Sequence, residues 1–360
     1  MEESLKNPDL DFIKITEDCK KQIQEDPHNP EPYNILGTTF ALSGKLEEAF
    51  ETYNKLLNID PDNIQTLINL GSTRYLMGNF EEAAEYYRKA IAVDPDNYSP
   101  YLNLANIYAE ENKVNIAINY YNEAIKLCPD KAELHASLGL AYQDLNKSEK
   151  AIENYNKAVK LDPENYEYYV DIASVYMQDS DFDNAIKYYK EALNHNKEDY
   201  KSYVCIGNAL SEQGKFNESF EYYQKALEIS PDYAKAHLCY GIALSESGMT
   251  EEAIEKYKKA ITLDPEDSKI YIILANTFTE KNQFDEAIKY YKEAIKLDNK
   301  NIMAHMALGN TLNLMGKLEE SIEYYRIASK LDPENDEIFT VYAEAVEEFT
   351  SKQNNKHLEE

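Results

Sequence analysis

The sequence predicts an all-α protein made of nine repeated helix-turn-helix units with a capping helix at each end. The first observation is a proline lattice with a period of 34 residues. Its members are Pro27, Pro61, Pro95, Pro129, Pro163, Pro231, Pro265 and Pro333. The second is that small and large apolar residues recur at fixed places between these prolines. Nine repeats of 34 residues therefore fill residues 30–335 without an insertion.

The first half of each repeat has the pattern of an amphipathic helix. We number the repeat from position 1, which falls at residues 30, 64, 98, 132, 166, 200, 234, 268 and 302. Position 7 is always large and apolar, position 8 is always Gly or Ala, and positions 4, 7, 8 and 11 share one face of a helix. Gly or Asn at position 15 in eight repeats supplies the left-handed residue that ends this first helix.

A second helix is predicted from position 17 onward. Position 20 is small, position 24 is Tyr in all nine repeats, and position 27 is Ala in eight. Small residues at positions 8, 20 and 27 let the two backbones approach closely, and the tyrosine ring fills the space beside them. Proline at position 32 ends the second helix. Lys197 and Asn299 replace this proline in two repeats, where we expect a less sharp turn.

Capping helices are predicted at both ends, because terminal repeats of an array need a covered outer face. Residues 1–29 contain a candidate helix with one apolar face, formed by Phe12, Ile15, Cys19 and Ile23. Residues 336–349 repeat the first-helix pattern and are expected to cover the last apolar face with Phe339, Tyr342, Ala343 and Val346. Residues 350–360 are predicted to be a polar tail.

Charge and composition exclude several functions. The formal net charge of −29 opposes binding to nucleic acid or to an anionic membrane, and favours a protein partner. We see no signal peptide and no membrane span. The cysteines Cys19, Cys128, Cys205 and Cys239 form no metal-binding or redox pair, which fits a reduced cytoplasmic location.

The sequence lacks the common motifs of enzymes and of metal-binding sites. The sequence contains no HExxH, P-loop or GxGxxG motif. His135, His237 and His305 occupy position 4, the large packing slot, so we interpret them as packing rings and not as metal ligands. We therefore predict no enzymatic activity and no cofactor.

The 34-residue pattern of large residue, Leu, Gly, then Ala and Tyr, then Pro, resembles the tetratricopeptide repeat (TPR) family. The resemblance covers residues 30–335 and implies a right-handed α-solenoid. It also implies that first helices line a concave groove, that second helices form the convex back, and that the array is a scaffold or adaptor which binds an extended peptide or a helix of another protein.

Three sets of residues on the predicted groove face are candidates for partner binding. The apolar set at position 5 is Ile68, Leu102, Val170, Val204, Leu238, Ile272 and Met306. The amide set at positions 6 and 9, whose side chains offer a donor and an acceptor to an extended backbone, is Asn69, Asn103, Asn106, Asn208, Asn276 and Asn310. The basic set at position 2 is Lys201, Lys235 and Lys269.

Several alternatives stay open at this level. The position-5 and Asn residues can be structural, and each lysine can pair with Glu212, Glu246 or Glu280 of a neighbouring repeat. The protein can also self-assemble through its capping helices, end to end or as a dimer. A role as an accessory subunit of a secretion, cell-envelope or glycosyl-transfer system is a further alternative.

Overall fold

The computed structural model describes the backbone of residues 8–359 and the side chains of residues 12–353. Every regular element in this range is an α-helix, which confirms the predicted all-α class. The chain divides into two compact units, Met1–Asp179 and Ser180–Glu360. The predicted N-terminal cap (residues 1–29) and polar tail (residues 350–360) lie partly outside the described residues.

The helices of the first unit are α1 (Pro8–Glu25), α2 (Pro30–Leu42), α3 (Leu46–Ile59), α4 (Ile64–Leu76), α5 (Phe80–Val93), α6 (Tyr98–Glu110), α7 (Val114–Leu127), α8 (Ala132–Asp144), α9 (Ser148–Leu161) and α10 (Tyr166–Gln178). Those of the second unit are α11 (Phe182–His195), α12 (Tyr200–Glu212), α13 (Phe216–Ile229), α14 (Ala234–Glu246), α15 (Thr250–Leu263), α16 (Ser268–Glu280), α17 (Phe284–Leu297), α18 (Ile302–Leu314), α19 (Leu318–Leu331) and α20 (Asp336–Glu359).

Helix boundaries follow the repeat closely. Each first helix, α2 to α18 in even numbers, begins at position 1 and has 13 residues. Each second helix, α3 to α19 in odd numbers, begins at position 17 and has 14 residues. One local signal starts the first helices: Asn or Asp at position 34 of the preceding repeat caps seven of the nine. These caps are Asn29, Asn63, Asn97, Asn165, Asp199, Asp267 and Asn301.

The turn between the two helices depends on one left-handed residue. Position 15 has a positive φ in every repeat, at Gly44, Gly78, Asn112, Asn146, Ser180, Gly214, Gly248, Asn282 and Gly316. Ser180, with φ of 58°, takes this conformation without being Gly or Asn. This is the one repeat that has neither Gly nor Asn at position 15.

The core of each repeat is the contact between position 8 and the tyrosine at position 24. All nine of these tyrosines are at most 4% exposed. A Cβ added to Gly37 or Gly71 would lie 2.5 or 2.6 Å from the ring of Tyr53 or Tyr87. The ring therefore occupies the space that a side chain at position 8 would need. This contact confirms the predicted close approach of the two helices.

In most repeats, a Tyr or His ring at position 4 forms a hydrogen bond to a backbone carbonyl of the segment before the first helix. The hydroxyl of Tyr101 donates to the Pro95 carbonyl at 3.2 Å, and Tyr271 donates to Pro265 at 3.1 Å. His237 Nε2 makes the equivalent bond to the Pro231 carbonyl at 2.9 Å. Burial lowers the pKa of His237, and the bond to the Pro231 carbonyl partly opposes this shift. The position-4 histidines thus replace tyrosine in a structural bond.

The two junctions without proline keep the ordinary geometry, contrary to our expectation of a less sharp turn. The residue that ends α17, Asp298, has φ and ψ of −136° and 91°, and Asp60 before Pro61 has −132° and 89°. His305 Nε2 still lies 3.1 Å from the Asn299 carbonyl. Contacts around the junction, and not proline alone, therefore fix its shape.

The C-terminal helix differs from the prediction in length and in its packed face. α20 continues through residues 350–359, because Thr350 stands where the other first helices have a left-handed residue. Ile338 and Ala345, at positions 3 and 10, are 6% and 4% exposed and pack against the preceding repeat. Phe339 is 61% exposed, Val346 is 36% exposed, and Ala343 is exposed while Tyr342 is half-buried.

The predicted covering face of α20 is therefore wrong. In the repeats that lie within one compact unit, the second helix packs on this face of the first helix, and α20 occupies residues where that second helix would begin. At the other end, Cys19 of α1 is 4% exposed and Phe12 and Ile23 are half-buried, but Ile15 is 39% exposed. Only part of the apolar face predicted for α1 is covered.

Two glycines of one repeat should respond unequally to substitution. Gly71→Val is expected to lower the free energy of unfolding by about 1–3 kcal/mol, because the new side chain displaces the Tyr87 ring. Gly78→Asn should cost less than about 0.5 kcal/mol, since no atom lies within 4 Å and Asn has positive φ at Asn112. Urea unfolding followed by circular dichroism measures both. Equal losses would contradict the role of the ring contact.

Candidate protein-binding surface

The candidate surface is the side of the first helices that their own second helices leave uncovered. We define this first-helix face as positions 2, 5, 6, 9 and 13 of each first helix. The two compact units each carry such a face, and each is described by itself. Its positions alternate between residues fixed by internal contacts and residues that are open to solvent.

The asparagines at position 9 are bonded to the tyrosines at position 24. The tyrosine hydroxyl donates to the amide oxygen of the same repeat in each pair: Tyr121 to Asn106 at 2.8 Å, Tyr223 to Asn208 at 2.8 Å, Tyr291 to Asn276 at 2.6 Å, and Tyr325 to Asn310 at 2.8 Å. Thr38 and Ser72 hold the same place and lie 3.1 Å from the hydroxyls of Tyr53 and Tyr87. Position 9 therefore satisfies a hydroxyl that is otherwise buried.

This bond fixes the direction of the amide. Because Oδ1 accepts from the tyrosine, the two N–H donors of the Nδ2 group are not used in this bond. Asn276 and Asn310 are exposed, while Asn106 and Asn208 are half-buried, and Asn208 also bonds to the Cys239 thiol. The structure thus gives these asparagines a structural role, and the tyrosine bond engages only their amide oxygens.

The amides at position 6 have different surroundings. Asn69 accepts from Gln65 at 2.9 Å and donates to Asn34 of the preceding repeat at 3.4 Å. Asn103 is half-buried and lies one turn from Asn106 on α6. The same row contains Cys205 and Cys239 in the second compact unit, and both are free thiols.

The apolar row predicted at position 5 is largely a packing row. Ile68, Leu102, Val204 and Ile272 are at most 8% exposed and belong to the hydrophobic core. Position 5 lies between adjacent first helices, which pack directly on one another at α4 and α6 and at α12 and α14. These four side chains are therefore not open to a partner, which corrects the prediction. Val170, Leu238 and Met306 are half-buried.

Other apolar side chains take their place on the surface. In the first compact unit, Ile35, Leu42, Leu76 and Leu140 are 43%, 73%, 62% and 54% exposed. In the second, Met303 and Leu314 are 70% and 67% exposed. They occupy positions 2, 6, 9 and 13. These exposed apolar side chains were not predicted from the sequence. An apolar residue at position 13, which is acidic in five repeats, could have indicated them.

Charged side chains occupy the two ends of the first helices. Lys201, Lys235 and Lys269 are exposed at position 2. Position 13 of the same three helices carries the exposed acids Glu212, Glu246 and Glu280. Within residues 12–353, none of the three lysines forms an ion pair, so pairing with these glutamates is not observed.

One half-buried carboxyl of the first compact unit has a raised pKa. Asp171 stands at position 6 of α10, where desolvation by burial, and to a smaller extent the charge of Glu167, raises its pKa to about 6. Burial likewise raises the pKa of Tyr121 to about 12, which keeps its hydroxyl protonated as the donor to Asn106. The face therefore combines fixed donors with a carboxyl that titrates near neutrality.

A family model described as the Cilia and flagella-associated protein 70 C-terminal domain, a TPR model, matches residues 11–269. The chain belongs to this tetratricopeptide-repeat family. Further TPR models match residues 256–289, 275–316 and 304–335. No curated protein sequence matches the chain.

Solved structures agree with the fold of a tetratricopeptide array. Yeast Tom70 aligns over 96% of this chain and 97% of its own, with 14% identity and a TM-score of 0.56. MamA is 29% identical over 48% of this chain and 94% of its own, with a TM-score of 0.42. YrrB, described as a TPR protein with an unusual peptide-binding site, is 24% identical over 55% of this chain and 99% of its own, with a TM-score of 0.43.

Tetratricopeptide arrays are typically non-enzymatic scaffolds that mediate protein–protein interactions, so the fold indicates protein partners. Across the described part of the array, no helix combines the length and the apolar character needed to cross a membrane. The family does not specify which residues bind.

The buried carboxyl of the array makes its stability depend on pH. The native pKa of Asp171 lies above the ordinary value of 3.8, so the folded chain holds a proton that the unfolded chain releases, and stability falls as the pH rises through about 6. Asp171→Asn should raise the free energy of unfolding by about 2 kcal/mol at pH 8 and by about 1 kcal/mol less at pH 5.5. Urea unfolding at both pH values measures this. The exposed Asp144→Asn is the matched control, and an equal response of both variants would refute the burial argument.

Proposed function

We propose that this chain is a non-enzymatic scaffold or adaptor that binds an extended segment of another protein along its first-helix face. The single observation that carries the proposal is that buried tyrosines hold the amide oxygens of Asn106, Asn208, Asn276 and Asn310, so that the N–H donors of these amides are left out of that bond. Donors fixed in advance lose little conformational entropy when they bind, and the carbonyl groups of an extended backbone are suitable acceptors whatever the sequence.

Exposed apolar side chains on the same face support this function. Leu76 and Leu140 in the first compact unit, and Met303 and Leu314 in the second, stand beside the amides on the first helices. A partner segment would bury these side chains while its backbone accepts from the asparagines. The free thiols of Cys205 and Cys239 on this face fit a reducing compartment such as the cytoplasm.

The amide donors are tested by substitutions that leave the core intact. Changing Asn106, Asn208, Asn276 and Asn310 together to Asp keeps the oxygen that accepts from tyrosine and removes the N–H donors. We expect capture of partner proteins from lysate, measured by quantitative mass spectrometry, to fall at least about tenfold, because each lost hydrogen bond weakens binding. Alanine substitutions would be less informative, since they leave a buried tyrosine hydroxyl without its partner.

The matched control adds the same charge to the second helices. It combines Asn58→Asp, Asn119→Asp, Asn156→Asp and Asn217→Asp, all at exposed positions. This control should retain capture, and both variants should keep the far-ultraviolet circular dichroism of the parent. Undiminished capture by the first-helix variant would show that a different face binds.

A second function, self-association, is favoured by the open face of α20. Phe339 and Val346 are 61% and 36% exposed on a helix whose equivalent face is covered in every repeat. The occupant that we propose is α20 of a second copy, arranged antiparallel about a twofold axis. The helix is acidic over residues 336–348 and carries Lys352 and Lys356 beyond them, so an antiparallel pair brings opposite charges together.

Point substitutions test this dimer. Phe339→Glu with Val346→Glu should convert a dimer to a monomer in sedimentation velocity, because each would bury a charge in the apolar contact. Thr340→Glu, at an exposed position of the same helix, is the control and should leave the dimer intact. A parent chain that sediments as a monomer at about 50 μM would rule out a dimer of useful affinity.

A further inference from the structure

The three lysines at position 2 are placed where the helix itself disfavours them. Lys201, Lys235 and Lys269 are the second residues of α12, α14 and α16. The first turn of a helix carries the positive end of its dipole, which stabilises acids and opposes cations. Glu31, Glu133 and Glu167 occupy this position in other first helices, as the dipole favours. Helix stability therefore does not account for a lysine in three successive repeats.

Among the described side chains, none forms an ion pair with these lysines that would offset this cost. The acidic residues Glu212, Glu246 and Glu280 of the same helices lie 11 residues further on, which is about 16 Å along the helix axis. The nearer carboxylates of Asp199 and Asp267 already accept hydrogen bonds from the backbone N–H groups of Lys201 and Lys269. The three ammonium groups thus remain available in a protein whose net charge is −29.

The three lysines lie on the first-helix face. Lys235 lies close enough to Cys205 and Cys239, both at position 6, for its charge to oppose the rise that burial causes in the pKa of each thiol. Asn208 lies beside the Cys239 thiol and accepts from Tyr223 at 2.8 Å. A ligand bound to Lys235 would therefore stand next to an amide donor of the proposed backbone-binding set.

We infer that Lys201, Lys235 and Lys269 form a row that binds an extended acidic segment of a protein partner, with one carboxylate at every third residue. This inference rests on the proposed function and names the chemistry of its ligand. Neighbouring first helices are about 10 Å apart, and three residues of an extended chain span about 10 Å. A polyproline II segment also returns to the same side every third residue, so its acids would face the lysines in register.

The acidic row at position 13 defines the other edge of this site. Glu212, Glu246 and Glu280 repel acidic side chains, so they confine the segment to the lysine edge and disfavour partners with acids on both sides. Recognition then depends on where the acidic side chains lie along the partner segment. The general charge of the protein opposes any acidic ligand, so binding of one reports on a local basic site.

The experiment uses fluorescent 12-residue peptides with Glu at every third position and Pro or Ala between, compared with the same peptides carrying Lys. Fluorescence anisotropy with the full chain should show about tenfold or greater preference for the Glu peptide at about 50 mM salt, with a marked loss at about 300 mM, because screening weakens exposed charge pairs. The combined variant Lys201→Glu, Lys235→Glu and Lys269→Glu should bind the Glu peptide at least about tenfold more weakly.

The control carries the same change of charge on the second helices of the same compact unit. It combines Lys225→Glu, Lys259→Glu and Lys292→Glu, which are exposed on α13, α15 and α17. Equal loss in the two triple variants, or equal binding of the Glu and Lys peptides by the parent, would overturn the inference.

The proposed backbone donors are tested separately in the same assay by Asn208→Asp with Asn276→Asp. Loss of Glu-peptide binding in this variant but not in the lysine variant would refute the lysine row and support the amides. The reverse pattern would support the lysine row and refute the amide donors.

Discussion

The tyrosine at position 24 is the residue on which each repeat depends. Its ring fills the space over a glycine or alanine at position 8, so the two helices of a repeat can pack only at the distance that the ring allows. Because the same contact recurs every 34 residues, each repeat presents the same surfaces to its neighbours. The position-4 bond to the preceding carbonyl then fixes where the next first helix begins.

The hydroxyl of this tyrosine links the core to the surface. A buried phenol needs an acceptor, and position 9 supplies one in most repeats. The acceptor is an asparagine in four of them, and this bond leaves its N–H donors unused. A structural role for these asparagines is therefore compatible with the partner binding that we propose for them.

Much of the fold was predictable because the repeat supplies nine observations of one pattern. Helix starts, the left-handed turn and the tyrosine contact all follow from residue types at fixed positions. The burial of Ile68 and Val204 was not predictable, since periodicity assigns a residue to a face but not to the contact between adjacent first helices. The exposed face of α20 was missed for a related reason. The apolar pattern of α20 shows that it resembles a first helix. The pattern does not show that α20 continues through the residues where a covering second helix would begin.

The candidate surface was predicted less well than the fold. The lysines and asparagines were found by their positions, yet the bond from Tyr223 to Asn208 joins residues on two helices and depends on a rotamer. The exposure of Leu42 and Leu76 was not predicted, because position 13 is acidic in five other repeats and carries no regular apolar pattern. Single-sequence reasoning therefore identified residues of the first-helix face but misassigned which of its apolar side chains are exposed.

The pairing of position 9 with position 24 divides the face into sites that are constrained by an internal bond and sites that are not. A change at position 9 must still accept from the tyrosine, or the ring must find another acceptor, as Tyr155 does with Gln143 at 3.0 Å beside Leu140. Positions 2 and 13 have no such obligation, so their charge and polarity can be rewritten without disturbing the packing. Substitutions at positions 2 and 13 can therefore change the charge of the first-helix face while the interior of every repeat stays the same.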